Sequence, residues 1–540
     1  MVFTIHRYIF RELLRTFFLA TVALTFMLSL GSMLKPIQEF GVSPQQAIHL
    51  LGYFLPITLT VVLPMSALFA AALTYGRFAS DNELSACKAS GISLMTLVYP
   101  GLCLAIVVAI ANLVLSFYVV PAFVKRAEKS VQGNARQIVF RNIQRKGYYE
   151  MPGRRFRIYA DHADPQNDML FGVVVIESKG NQVTRQIFAD KARIIIETFN
   201  KYTEVTAIAE NTYQLDKNDD PQYSEKLAIM HRFPPMLGDD IKFQKIDRLK
   251  EIRADMSKYG PIREKVLAAR VQLATEALAE DINKKLASPN TGFYQLVSED
   301  KILRVYAKGC RALTEKTVVF EPPIKLLEYE KLSRELNFKW ATDDQAELTF
   351  ASEQPGSKLD LLLTNTSWKT NDIGGFAPLP RKLFAAINLT SEISKKLNKQ
   401  SLVDTIAQIN DPKVENPILA GKPSGALINL KKAADFETWI TSKKIISEIH
   451  TRLVFGIGSI TLILFAVALG IIFKGGHLLS AFGVSAIPAA ALIVFIMSGK
   501  ELTKTMNESM PESTGIIVMW SGLVLLSIIA FFIYRKLTRT

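Results

Sequence analysis

The chain is apolar near both ends and mixed in the middle. Phe17 to Leu34 carries no charge and stops at Lys35. His49 to Tyr75 is a second run, with Pro56 and Pro64 inside it, and Ile92 to Pro121 is a third. Leu453 to Phe473, Leu478 to Ser498 and Gly515 to Tyr534 repeat this texture near the other terminus. A bilayer core of roughly 30 Å takes about 20 apolar residues in a helix, so each run predicts a spanning helix. Prolines inside a span free a backbone carbonyl and tend to kink the helix. Met1 to Arg15 carries Arg7, Arg11 and Arg15 among aromatics and lacks a small-residue cleavage site. It reads as an interfacial amphipathic helix that turns into the first span, and not as a signal peptide.

The middle has two textures. From Gln137 to about Met230 polar and apolar residues alternate as in half-buried strands: Gln137 to Phe140, Arg155 to Tyr159, Val173 to Ile176 and Ala192 to Ile196. Met151-Pro152-Gly153, Lys179-Gly180-Asn181 and Lys217 to Asp220 read as turns between them, which points to an antiparallel sandwich or roll. From Ile246 to about Lys285 the spacing becomes helical, with Leu267, Val271, Leu278 and Ile282 among charges. Beyond Pro289 the pattern is mixed. Val318 to Phe320, Phe338 to Trp340, Glu347 to Phe350 and Leu359 to Leu363 read as strands, and Ala386 to Ile409 and Lys431 to His450 as helices.

Charge orients the chain. Lys and Arg near span ends favour the cytoplasmic side. Arg7, Arg11 and Arg15, then Arg77 and Lys88, Lys474, and finally Arg535, Lys536 and Arg539 fall on one side if there are six spans. That side is expected to be cytoplasmic, with both termini. The middle then lies outside, which in a double-membrane bacterium is the periplasm. The formal net charge of +14 fits membrane surfaces, and no basic run interleaved with aromatics points to nucleic acid. Cys87, Cys103 and Cys310 are not at metal-ligand or CxxC spacing. There is no phosphate loop, nucleophile elbow or HExxH motif, and the six histidines are dispersed. These absences predict no cofactor, no metal and no enzyme activity, so an energised transporter of this design has to borrow energy from a partner.

The segment Gly76 to Ser93 is the most informative. Ser80 followed by Glu83 has the spacing of a capping box, and Gly91 fits a helix stop. A short helix over 79–91 is predicted between the second and third spans. Glu83 there is either a cap for its own backbone or a contact for a cytoplasmic ATPase, because a rigid connector transmits motion that an unstructured one would absorb.

Three stretches resemble one family. They are Arg7-Tyr8-Ile9 through Arg15-Thr16-Phe17; Leu63 to Leu68 with Ser80 to Glu83 and Ala89 to Ser93; and Glu448-Ile449-His450-Thr451-Arg452-Leu453 before the fourth span. The chain is similar in these to the LptF/LptG (YjgP/YjgQ) permeases, over about Met1 to Met230 and Ile446 to the C-terminus. The resemblance implies a permease of the ABC transporter that extracts lipopolysaccharide, or a related glycolipid, from the inner membrane. It implies a dimeric LptB-like ATPase, a second LptF/LptG-type permease and an LptC/LptA-like periplasmic bridge. It makes Ser80, Asp81, Glu83 and Gly91 candidate ATPase-coupling residues. Lys35 becomes a substrate contact or an interfacial lysine reaching headgroups. Arg452 becomes a substrate contact or a helix-start anchor, the anchor being favoured.

The expected fold is therefore six transmembrane helices, three and three, with a periplasmic jellyroll-like β domain and a mixed α/β insertion. The boundaries are 1–121 for the first three spans, 122–245 for the β domain, 246–446 for the insertion and 447–540 for the last three spans. Family members usually have a much shorter soluble region, and roughly Pro261 to Asp435 reads as the excess. A non-transport envelope scaffold or sensor is the rival reading.

Overall fold

The computed structural model describes residues 2–40, 44–133, 135–150, 156–179, 182–198, 203–216, 222–233, 240–289, 292–298, 300–314, 316–350, 358–370, 377–389, 395, 419, 422–473, 478–504 and 513–539. Six helical stretches among them are long and apolar enough to cross a membrane: Phe3–Ser29, Leu51–Ser80, Leu94–Ser130, Gly425–Ile472, Ala486–Lys504 and Ser513–Arg539. The chain divides into two compact units. One comprises Met1–Arg253 with Thr441–Thr540, the other Ala254–Ile440.

The first unit opens with α1 (Val2–Phe40), α2 (Pro44–Ser80), α3 (Glu83–Ala89) and α4 (Leu94–Val114). No break separates the basic N-terminal stretch from the first span: α1 is one helix, so the interfacial helix expected over Met1 to Arg15 is its first turns. Pro121 does not end the third span either. A π-helical turn, Leu115–Val119, follows α4, and α5 (Val120–Gly133) carries the helix onward. Then α6 (Ala135–Lys146) covers Gln137 to Phe140, which the alternation assigned to a strand. Val139, Phe140 and Ile143 are buried on one helical face against the sheet, and that packing overrides the β propensity of the Ile-Val-Phe run.

Glycine lets the membrane helices approach closely. A Cβ on Gly470 would lie 3.0 Å from Ala72 O and Gly76 N, so the 48-residue helix Gly425–Ile472 meets α2 backbone to backbone. Gly483 has nothing within that range. Small residues suit such contacts because lipid tails give apolar helices no hydrophobic reason to associate.

The sheet of this unit is a meander. β1 to β6 (Tyr148–Glu150, Phe156–Asp164, Met169–Lys179, Gln182–Thr198, Thr203–Asp216 and Gln222–Phe233) pair consecutively and antiparallel. A jellyroll joins its strands in Greek-key order; the described strands do not, and the sheet is a sequential one. Its buried positions slip by one residue at the same level on four strands. They run Ala160 then Ala163, Leu170 then Val173, Ala189 then Ala192, and Ala209 then Thr212. Gly172 (φ +60°) and Asn211 (φ 53°) sit at that level in the left-handed region, which gives the sheet a crease. The Asp161 carboxylate occupies the space where a Cβ on Gly172 would stand.

The second unit wraps a sheet around a helix. It follows α7 (Ile246–Ala254), which belongs to the first unit up to Arg253, and its helix is α8 (Gly260–Leu286), whose residues from Ala269 to Ala279 are nearly all buried. Strands β7 (Tyr294–Val297), β8 (Lys301–Tyr306), β9 (Gly309–Thr314), β10 (Thr317–Glu321), β11 (Ile324–Glu330), β12 (Leu336–Thr342), β13 (Ala346–Phe350) and β14 (Leu359–Lys369) form one sheet in the order β7-β8-β11-β12-β14-β13-β10-β9. β14 (Leu359–Lys369) pairs with β12, β13 and also β15 (Ala377–Ile387). Leu361, Leu348, Val318, Phe320 and Leu278 form its core. Ala386 and Ile387 belong to β15, not to the helix expected to begin there; nearly all the rest of Ala386 to Ile409 lies outside the described residues.

Candidate functional site

Two places at opposite ends of α4 concentrate polar geometry. At roughly 1.5 Å per residue, Leu94 to Ser116 covers about 33 Å, close to a bilayer core.

At the first end stands α3. It is seven residues long, Glu83–Ala89, and shorter than the helix expected over 79–91. The capping box does not form. Ser80 ends α2, and the N-cap is Asn82, held at φ 59° without a side-chain cap bond. The backbone bonds of α2 run on through Asp81 N to Arg77 O (2.9 Å) and Asn82 N to Ala79 O (3.3 Å), and leave no room for Ser80 to start a new helix. Glu83 is therefore not tied to Ser80. Asp81 and Glu83 are exposed and make no ion pair among the described residues. Leu84 is buried and pins the helix to the bundle.

The far end of α3 is closed as expected. Gly91 (φ +81°) donates to Lys88 O (2.9 Å) and Ile92 to Cys87 O (3.1 Å), the paired bonds of a Schellman stop. Ser93 then caps α4, accepting from the Thr96 amide at 3.3 Å. The short helix is thus closed at its C-terminal end and held at its start by the burial of Leu84.

The floor around it is cross-linked. Arg77 meets Glu12 at 2.9 Å, and Tyr8 stacks on Phe78 at 5.5 Å. Pro100 lacks the amide that would bond Thr96 O. His6 Nε2 donates to that carbonyl instead (2.8 Å), which fixes the proton on Nε2. One residue on, the fully buried Tyr75 hydroxyl enters the helix ladder, donating to Leu97 O (2.8 Å) and accepting from Gly101 N (3.2 Å).

At the other end stands Arg452, with 6% of its surface exposed. Nε donates to Glu448 (3.1 Å), Nη1 to Ser116 O (3.1 Å) and Gln244 O (3.0 Å), and Nη2 to Lys242 O (2.8 Å). Phe117 lies under the guanidinium at 5.5 Å. Glu448 also takes the Lys500 ammonium at 2.7 Å. Four of the five guanidinium N–H groups are thereby engaged by the chain itself. Arg452 therefore bonds three carbonyls at once, at 116, 242 and 244, and one N–H group is left over. Lys35 lies in α1, but its side chain is outside the described residues.

Sequence reading missed His6, Tyr75 and Ser116. The available signal was proline, because Pro100 and Pro121 each leave a carbonyl one turn earlier in need of a donor. No cluster of three or more His, Cys, Asp and Glu suited to a metal occurs among the described residues. Burial, with a smaller push from Glu321, raises the Cys310 thiol to about 12, so it is inert at neutral pH.

The family model for the lipopolysaccharide export system permease LptF/LptG matches residues 7–287, more than half of the 540. No curated protein matches the chain. The match takes in both N-terminal stretches of resemblance and runs to the end of α8, while Glu448 to Leu453 lies beyond it. The chain belongs to the lipopolysaccharide export permease family LptF/LptG.

Proposed function

We propose that the chain is the membrane subunit of an ABC exporter that lifts lipopolysaccharide from the inner membrane and hands it to a periplasmic bridge. Membership of the family makes it a lipopolysaccharide transport permease and not an enzyme, in a multi-pass inner-membrane setting. Beyond that, the reading assigns ATP hydrolysis to a separate cytoplasmic LptB-like dimer and a second LptF/LptG-type permease to its side. It directs the glycolipid to an LptC/LptA-like bridge. Both termini and α3 face the cytoplasm, and the sheets face the periplasm.

The observation that carries this reading is α3. It is short, closed by a Schellman stop at Gly91 and packed through Leu84, and Asp81 and Glu83 at its start are exposed and make no ion pair among the described residues. Such a helix passes a push from a docked ATPase into α2 and α4 without absorbing it. Work of that kind is needed because each lipid A methylene drawn from the bilayer costs about 0.8 kcal/mol when exposed to water. Lys35, at the opposite end of the first span, is the proposed contact for a lipid A anion.

Co-purification tests it. The chain, expressed with its genomic neighbours and extracted in mild detergent, should bring down a cytoplasmic ATPase, and Glu83→Lys should bring down less. If no ATPase accompanies either protein, α3 is not a coupling helix and the scaffold or sensor reading takes its place.

A further inference from the structure

We infer that Arg452 is a positioning residue for export, joining the outer ends of the membrane helices to the segment that leaves the first sheet. The inference rests on the export reading for its functional half only.

The need for it begins at Pro121. In the π turn the Val120 amide bonds Leu115 O, one residue further back than in an α-helix. The next amide in that ladder belongs to Pro121 and does not exist, so Ser116 O has no backbone donor. An orphaned carbonyl at membrane depth is costly. Arg452 Nη1 supplies the missing donor at 3.1 Å.

The same guanidinium reaches out of the helices. Lys242 O and Gln244 O belong to the turn Ile241–Phe243 and its cap, the first described structure after β6 and the lead into α7. Glu448, one turn before Arg452, neutralises it and is itself held by Lys500 near the end of the helix Leu478–Lys504. Arg452 thus ties the third and fourth apolar helices to the sheet's exit, and Glu448 adds the fifth through Lys500. A planar fork with a fixed charge is suited to this, and a lysine ammonium is not. When the helices shift, the exit segment shifts with them. A π turn is a natural seat for such a joint, because its ladder is already open.

The variants are Arg452→Met, Arg452→Lys and Pro121→Ala/Arg452→Met, each in the full chain with its ATPase complex. Ser116→Cys and Lys242→Cys together report the joint through a short bis-maleimide, in a background where Cys87, Cys103 and Cys310 are replaced. Arg452→Met should cut that crosslink and the release of lipopolysaccharide to an acceptor about tenfold, with ATP turnover retained. Arg452→Lys should restore little of either. Pro121→Ala should return thermal stability to the Met variant, because alanine carries the amide donor that proline lacks. It should not return release, because Lys242 and Gln244 stay untied. Release recovering together with stability would reduce Arg452 to a stand-in for an amide and overturn the inference. So would turnover and release falling in parallel with the melting temperature, or an undiminished crosslink. A wild-type complex without turnover would refute the export reading, and the crosslink and melting arms would still decide the joint.

Discussion

The two ends of the third span use proline alike and polar groups oppositely. At one end Pro100 frees Thr96 O for His6; at the other Pro121 frees Ser116 O for Arg452. In both, a missing amide becomes a socket for a side chain from another helix. Beyond that they diverge. The α3 end leaves its acids Asp81 and Glu83 exposed, while the Arg452 end satisfies Glu448 twice over and buries it. The surface proposed to meet a partner keeps its charge exposed, and the cluster within one chain consumes it.

Three substitutions sharpen this contrast. The largest effect is expected at the α3 end, from Gly470→Leu. A Cβ at 470 would stand 3.0 Å from the α2 backbone, so the helices must part, at a cost of about 1–3 kcal/mol in a detergent unfolding titration. An unchanged midpoint would show that this end tolerates looser packing. Tyr75→Phe is next. It removes the hydroxyl between Leu97 O and Gly101 N and should cost about 1 kcal/mol, modest because unfolded helices in a membrane find other partners. A loss several times larger would mean that Tyr75 holds more than one helix turn. Glu83→Gln should be the smallest, within about 0.5 kcal/mol of wild type by thermal melting. A clear destabilisation would show that Glu83 serves its own fold, and the contrast between the two ends would fail.

The two sheets show how far pattern reading reaches. Val173 to Ile176 and Ala192 to Ile196 alternate against a half-exposed sheet and lie in β3 and β4. Leu359 to Leu363 lies in β14, although that strand branches between three neighbours, a pairing no local pattern encodes. The crease is similarly hidden. It follows from Gly172 and Asn211 standing at one level of the ladder, and level is a property of register.

By itself the sequence determined the apolar helices, because bilayer thickness demands a run of fixed length that any window detects. It determined the Gly91 stop, because a left-handed residue after a short helix is a local requirement. It also displayed the family resemblance, since motif and order are linear. Tertiary structure alone decided that Ile138 to Phe140 coil into a helix, that Asn82 and not Ser80 begins α3, and that Arg452 is spent inside the chain. Each of these depends on what lies across from the residue: a sheet beneath α6, an unfinished turn of α2, and three carbonyls brought together from positions 116, 242 and 244. Hydrogen bonds and packing are satisfied in space, and distance along the chain does not record which groups will be there to meet.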